Sequence, residues 1–214
     1  MRGRIHLLRH AEGIHALRRD TSIPDAPLSE RGFDFAEDLG RCFVDKHSNS
    51  TGAIISSPLC RTIQTSLTAF PRILDTTQYP ENSDVGAENG LALTLDANLQ
   101  ETYNLPCNTG TPKDRLATRF PRQVAEINQL HPNWQVKTGP LSPLPQLPAQ
   151  RKTAILERLN QALQELEHRP VNNDVVVVTH QGILELLAPT TNIPAGEWHT
   201  FDLVRNGNGQ LVLK

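Results

Sequence analysis

Two histidines and two arginines in this chain, His10 and His180 with Arg9 and Arg61, are of the types that move a phosphoryl group. A neutral imidazole is a competent nucleophile toward phosphorus, and a covalent intermediate divides one difficult step into two easier ones. The transferring group spreads its negative charge over three equatorial oxygens, which planar guanidinium forks match in geometry and sign. A second histidine can donate a hydrogen bond to the same oxygens. A carboxylic acid is still needed to protonate the departing alkoxide. Two glutamates compete for that role, Glu12, which lies two residues beyond His10, and Glu101. His15 and Gln181 stand close in sequence to these groups and are candidates to touch substrate at the cleft mouth. Taken singly, each of these residues has an ordinary structural reading. Their value lies in where the chain must place them.

That placement follows from the elements. Residues 5–8 are a short apolar run that reads as a strand, and Arg9-His10 follows it. A second strand, 52–56, ends at Ser56-Ser57-Pro58-Leu59-Cys60-Arg61, with Pro58 expected to open a helix running to about Phe70. The run Val175-Val176-Val177-Val178, β-branched and without alternation, predicts a strand buried on both faces, as in a parallel sheet between helix layers; Thr179-His180 follows it. In open α/β sheets ligands bind at the carboxyl ends of strands, so three distant segments are sent to one crevice. Apolar spacing predicts helices over 29–47, with Ser29 as N-cap, over 115–130 and over 152–168. Residues 91–95 read as a further strand, 182–187 as a helix, and 199–204 with 211–213 as a closing hairpin around 206–209. The expected fold is a three-layer α/β/α sandwich with a mostly parallel central sheet of about six strands. It forms one domain over 1–214, with loop insertions near 72–90 and 104–150.

The motifs themselves carry a resemblance. Leu8-Arg9-His10-Ala11-Glu12 resembles the Arg-His-Gly signature of the histidine phosphatase, or phosphoglycerate mutase-like, superfamily, in the form with Ala in third position. The stretch from Ser57 to Thr65 is similar to that family's Ser-Pro-Leu-x-Arg-Thr-x-Gln-Thr segment. Val178-Thr179-His180-Gln181-Gly182 resembles its second histidine motif. Leu99-Gln100-Glu101, followed by Leu105 to Gly110, resembles the segment that carries the acid, and Pro27 to Gly32 completes a set in family order. The resemblance implies His10 as nucleophile, Arg9 and Arg61 as phosphate ligands, and His180 as phosphate ligand and transition-state donor. It implies Glu101, ahead of Glu12, as general acid. It implies a histidine acid-type phosphatase, a phosphoric monoester hydrolase working through a phosphohistidine, with a small-molecule phosphate ester as partner and neither cofactor nor metal. Three positions depart from the family pattern: Ala16 where Asn is frequent, Asn108 where Asp is frequent, and Gln181 where Gly commonly follows the second histidine.

Composition sets the outer limits. The chain has 214 residues, 37% hydrophobic and 21% charged, which suits one globular core and excludes wholesale disorder. A formal net charge of -2 gives no long-range pull toward nucleic acid or anionic lipid, so an anionic substrate must be held by local positive charge. Cys42, Cys60 and Cys107 are widely spaced and odd in number, which indicates neither a disulfide framework nor a zinc cluster. The N-terminal apolar stretch is far shorter than a signal-peptide core, and no run approaches membrane-spanning length, so a cytoplasmic location is expected. Segment 104–150 carries few basic residues and many prolines, which argues against a mutase needing a closed basic cleft. A protein that senses a phosphate ester, or a phosphatase fold repurposed in a biosynthetic pathway, remains the alternative.

Overall fold

The computed structural model describes residues 2–214. Its first strand, β1 (Ile5–Arg9), leads through the short α1 (Ile14–Arg18) to α2 (Glu30–His47), then β2 (Thr51–Ser56), α3 (Cys60–Ala69) and β3 (Leu93–Leu95). There follow α4 (Lys113–Arg119), α5 (Val124–Gln129), α6 (Pro148–Leu166), β4 (Asp174–Thr179), α7 (Gln181–Leu187), β5 (Trp198–Phe201), β6 (Leu203–Arg205) and β7 (Leu211–Leu213).

Five strands make the central sheet in the order β3-β2-β4-β1-β5, all parallel except β5. The valine-rich β4 lies in the middle and is buried along its whole length. Side chains alternate across the sheet. Leu8, Ile54, Val176 and Val178 face one way, into a core shared with Phe43 of α2 and Ile63 of α3. Ile5, Leu7, Ile55, Val175 and Val177 face the other way, against Leu159 of α6 and Ile183 of α7. Helices on both faces of a mostly parallel sheet complete the α/β/α sandwich.

The register fixes the site. Leu8 and Ser56 both pair with Val178, and Arg9 pairs with Thr179, so β1, β4 and β2 end side by side. The pairing continues one residue further on each flank, where His10 N donates to Thr179 O (3.0 Å) and Ser57 N donates to Val178 O (3.0 Å). His10, Ser57 and His180 therefore leave adjacent strands at one level. At the other end of the sheet, His6 is fully buried between Thr200 Oγ1 (2.9 Å) and Asp174 Oδ2 (3.1 Å). Arg4 also binds Asp174, through backbone N and guanidinium. His6, His47 and Asp174 bring ligand-type atoms within 4.8 Å of one another, but the Asp174 carboxylate already pairs with Arg4 and His6, and the group acts as a polar staple between β1 and β4.

Several boundaries differ from those expected. The helix anticipated over 115–130 is two helices, because Pro121 lacks the N–H an interior turn needs and forces the preceding residue out of the helical region; Phe120 sits at φ -125, ψ 69. Pro58 lies ahead of the helix rather than in it, with Leu59 as the capping position. The strand anticipated over 199–204 breaks at Asp202. Its partner β1 begins at Ile5, opposite Phe201, and beyond that point Asp202 exchanges backbone bonds with Lys214 instead. Strands β6 and β7 thus form a separate two-stranded ribbon, and the central sheet keeps five strands. Residues 72–90 hold one 3-10 turn, Thr76–Gln78.

Candidate functional site

His10 is 7% exposed, and its Nδ1 lies 2.6 Å from the carbonyl oxygen of Ala11. A carbonyl can only accept, so Nδ1 carries the proton and Nε2 is left with its lone pair. The Arg61 Nε–H donates to that Nε2 at 3.0 Å, which agrees with the same tautomer. Burial, with the charge of Arg61 beside it, holds the imidazole well below its usual pKa, so the ring is neutral at physiological pH.

Arg61 is 1% exposed and, among the described residues, has no carboxylate hydrogen-bonded to it. Besides His10 it donates to Cys107 O (2.7 Å), Asn108 Oδ1 (2.9 Å) and His180 Nδ1 (3.0 Å), all neutral acceptors. A buried cation so arranged keeps its positive charge available to an anion. It enters at the first turn of α3, whose Cys60 N–H is capped from outside by Asp25 Oδ1 at 2.9 Å. Asp25 also accepts from Thr111 N and Thr111 Oγ1, tying that helix start to the loop before α4.

His180 is fully buried, 4.9 Å from the His10 ring between centroids. Its Nδ1 accepts from Arg61, so its Nε2–H donates to Ser57 Oγ at 2.9 Å. Burial and Arg61 again hold it well below the usual histidine pKa. In this geometry it stands behind Arg61 rather than in the open cleft.

Arg9, His10, Glu12, His15, Arg61, Glu101 and Gln181 line one cleft of about 310 Å³. Glu101 and Glu12 are both present but differently held. The Glu101 carboxylate accepts from the backbone N–H of Gly182 (3.1 Å) and from Thr102 N (2.6 Å), at the amino end of α7. Residue 182 must lack a side chain for this: a Cβ there would lie 2.2 Å from Glu101 Oε1. Glu12 instead accepts from Ser29 Oγ (2.9 Å) and from both Nε and a terminal nitrogen of Arg31, whose hydrogen bonds lower its pKa. His15 is brought down to about 4 by burial and by Arg61 and Arg9. Ala16 is exposed at the cleft wall.

The sequence profile of the histidine phosphatase superfamily (branch 1) matches residues 5–81 and 82–212. The chain belongs to the histidine phosphatase superfamily. No curated protein matches it by sequence. Among solved structures it is similar to a mycobacterial glucosyl-3-phosphoglycerate phosphatase, at 17% identity and TM-score 0.58, over 99% of this chain and 96% of that one. It is also similar to a phosphoserine phosphatase from Entamoeba histolytica, at 17% identity and TM-score 0.52, over 99% and 95%. At these identities the likeness is one of fold.

Within this member of the superfamily, two of the departures have visible consequences. Asn108 supplies a neutral acceptor to Arg61 where an aspartate would supply a charge. Gln181 donates through Nε2 to Glu185 at 2.6 Å and leaves Oε1 buried without a partner. Three supporting residues escape sequence reasoning. Asp25 caps α3. Lys137, pulled down to about 8 chiefly by burial, donates to the carbonyls of Glu101 (2.6 Å) and Tyr103 (2.9 Å). Arg151 donates to the carbonyls of Asn98 and Gln100. All three act on backbone or on distant segments, and no local pattern marks them. A buried charge with a run of partners in three dimensions is the only signal they carry.

Proposed function

We propose that this protein hydrolyses the phosphate monoester of a small molecule through a phosphohistidine on His10. The observation that carries the reading is the His10 tautomer: the Ala11 carbonyl holds the proton on Nδ1, and Nε2 points its lone pair at the Arg61 guanidinium. A phosphoryl group drawn to Arg61 and Arg9 would take over the Arg61 Nε–H and so free that lone pair for attack.

Two transfers complete the cycle. Nε2 attacks phosphorus and the ester P–O bond breaks, its electrons leaving with the alkoxide, which takes a proton from the Glu101 carboxyl. Arg9 and Arg61 hold the equatorial oxygens, where charge is greatest in the transition state. The Glu101 carboxylate then takes a proton from water, whose oxygen bonds to phosphorus as the P–N bond breaks. Phosphate leaves and Nε2 recovers its lone pair. His180 orients Arg61 through Nδ1, while its Nε2–H is held by Ser57 Oγ, so in this geometry it acts on the phosphoryl group through Arg61.

The test is direct. With p-nitrophenyl phosphate as substrate, a rapid quench should trap acid-labile phosphate on His10, found by mass spectrometry of the His10 peptide. His10→Ala should stay folded and lose turnover by several orders of magnitude. Full activity in that variant would overturn the mechanism.

A further inference from the structure

The cleft holds more polar groups than the reaction uses, and fewer charges than an anionic leaving group would need. Three buried side-chain atoms in it lack a hydrogen-bond partner: Arg9 Nε, His15 Nδ1 and Gln181 Oε1. Buried polar atoms are rarely left so in a folded protein. Arg9 Nε is a donor and serves the phosphoryl oxygens. Gln181 already spends its amide N–H on Glu185, so the end left over is an acceptor that only an O–H or N–H can satisfy.

The charges are as informative. The cations lining the cleft are Arg9 and Arg61, and a phosphoryl dianion engages both. The lining carboxylates are Glu12 and Glu101, and the neutral His15 adds no positive charge at physiological pH. Ala16, Phe35, Leu105 and Ala195 give the wall an apolar face, with Phe35 and Leu105 substantially exposed, and Thr21 and Asn108 add polar but uncharged side chains.

We propose that the substrate is the phosphate monoester of an uncharged alcohol that bears a hydroxyl or amide N–H and has an apolar face, a neutral sugar or nucleoside in kind. Esters whose leaving group carries a carboxylate or a second phosphate are disfavoured. This rests on the hydrolase reading above. A second anion in the outer cleft gives up its hydration and finds no free cation among the lining side chains, Arg31 on the rim being already paired with Glu12. A neutral hydroxylated group places its donor on Gln181 and its carbon face on Phe35 and Leu105. The preference separates this chain from relatives whose names specify phosphoserine and glucosyl-3-phosphoglycerate.

A matched pair isolates the charge. Glycerol 3-phosphate and 3-phosphoglycerate differ only in a hydroxymethyl against a carboxylate, and p-nitrophenyl phosphate reports hydrolase activity separately. The expected kcat/KM is about tenfold or more higher for glycerol 3-phosphate. Leu105→Arg, which adds a cation to the apolar wall, should narrow that ratio several-fold. Equal or better turnover of 3-phosphoglycerate by the wild type, with p-nitrophenyl phosphate hydrolysed, overturns the substrate class and leaves the hydrolase reading standing. A folded Leu105→Arg that leaves the ratio unchanged overturns the charge argument. Failure on all three esters overturns both.

Discussion

Whether a carboxyl group acts as an acid depends on what already holds it, and the two glutamates of the cleft have different partners. Glu12 is committed to Arg31 and Ser29 on the rim. Glu101 is fixed by Gly182 N at the amino end of α7 and by the backbone and hydroxyl of Thr102, with no side-chain cation hydrogen-bonded to it among the described residues. Loss of a proton donor matters most for a poor leaving group. Glu101→Gln should therefore cut kcat on an alkyl phosphate by about 10²-fold or more, and on p-nitrophenyl phosphate far less. Glu12→Gln should change both only modestly. The reverse pattern would move the acid to Glu12. At this scale the sequence is readable where a residue type stands at a strand end, as with Arg9, His10 and His180. It is silent on Asp25 and Lys137, whose roles are made by segments that meet only in the folded chain.

Elements are legible when their apolar period runs unbroken, as in α2 and α6, and when burial on both faces leaves its mark, as in β4. They depart from the pattern where a local breaker or an absent partner overrides it, at Pro121 and Asp202. One element contact has a consequence that propensity alone gets backwards. Gly40 lies inside α2, where Ala would be favoured by about 1 kcal/mol. A Cβ at Gly40 would lie 2.1 Å from the carbonyl oxygen of Ala69, the last residue of α3. The obstacle is backbone and cannot rotate aside, so α2 and α3 would have to separate, and overpacking of this kind costs about 1–3 kcal/mol. Gly40→Ala is expected to lower stability by an amount on the order of 1 kcal/mol, read as a lower urea midpoint. Because α3 carries Arg61, its KM for phosphate esters should rise as well. A stabilised variant would show that the helices have room.

At the scale of the whole molecule, His10, His15 and His180 gather at the carboxyl edge of one sheet and are held uncharged, and this sets how the protein meets acid. His10 and His180 are held well below the usual pKa by burial and by Arg61, and His15 is held at about 4. In the unfolded chain these rings titrate near 6.5. Between those values the unfolded state binds more protons than the folded one, so stability falls as pH falls. The contribution is whole above about pH 6.5 and is lost progressively below it. Burial works to raise Asp174, but hydrogen bonds from His6, the Arg4 backbone and others together hold it below its usual range; its loss belongs near and below the unfolded carboxylate pKa of about 4 and does not enter this window. From pH 7 to pH 5 each fully buried neutral histidine can cost up to about 2 kcal/mol. Urea midpoints should accordingly drop steeply over that interval, and less steeply in His10→Ala, which removes one such ring. The catalytic profile should behave differently. His10 stays neutral in the folded protein, so kcat/KM should show no loss of nucleophile near pH 6.5 while the chain remains folded. Flat urea midpoints from pH 7 to 5, or an unchanged slope in His10→Ala, would mean that the rings accept protons without unfolding, and that the pocket is wetter than its geometry describes.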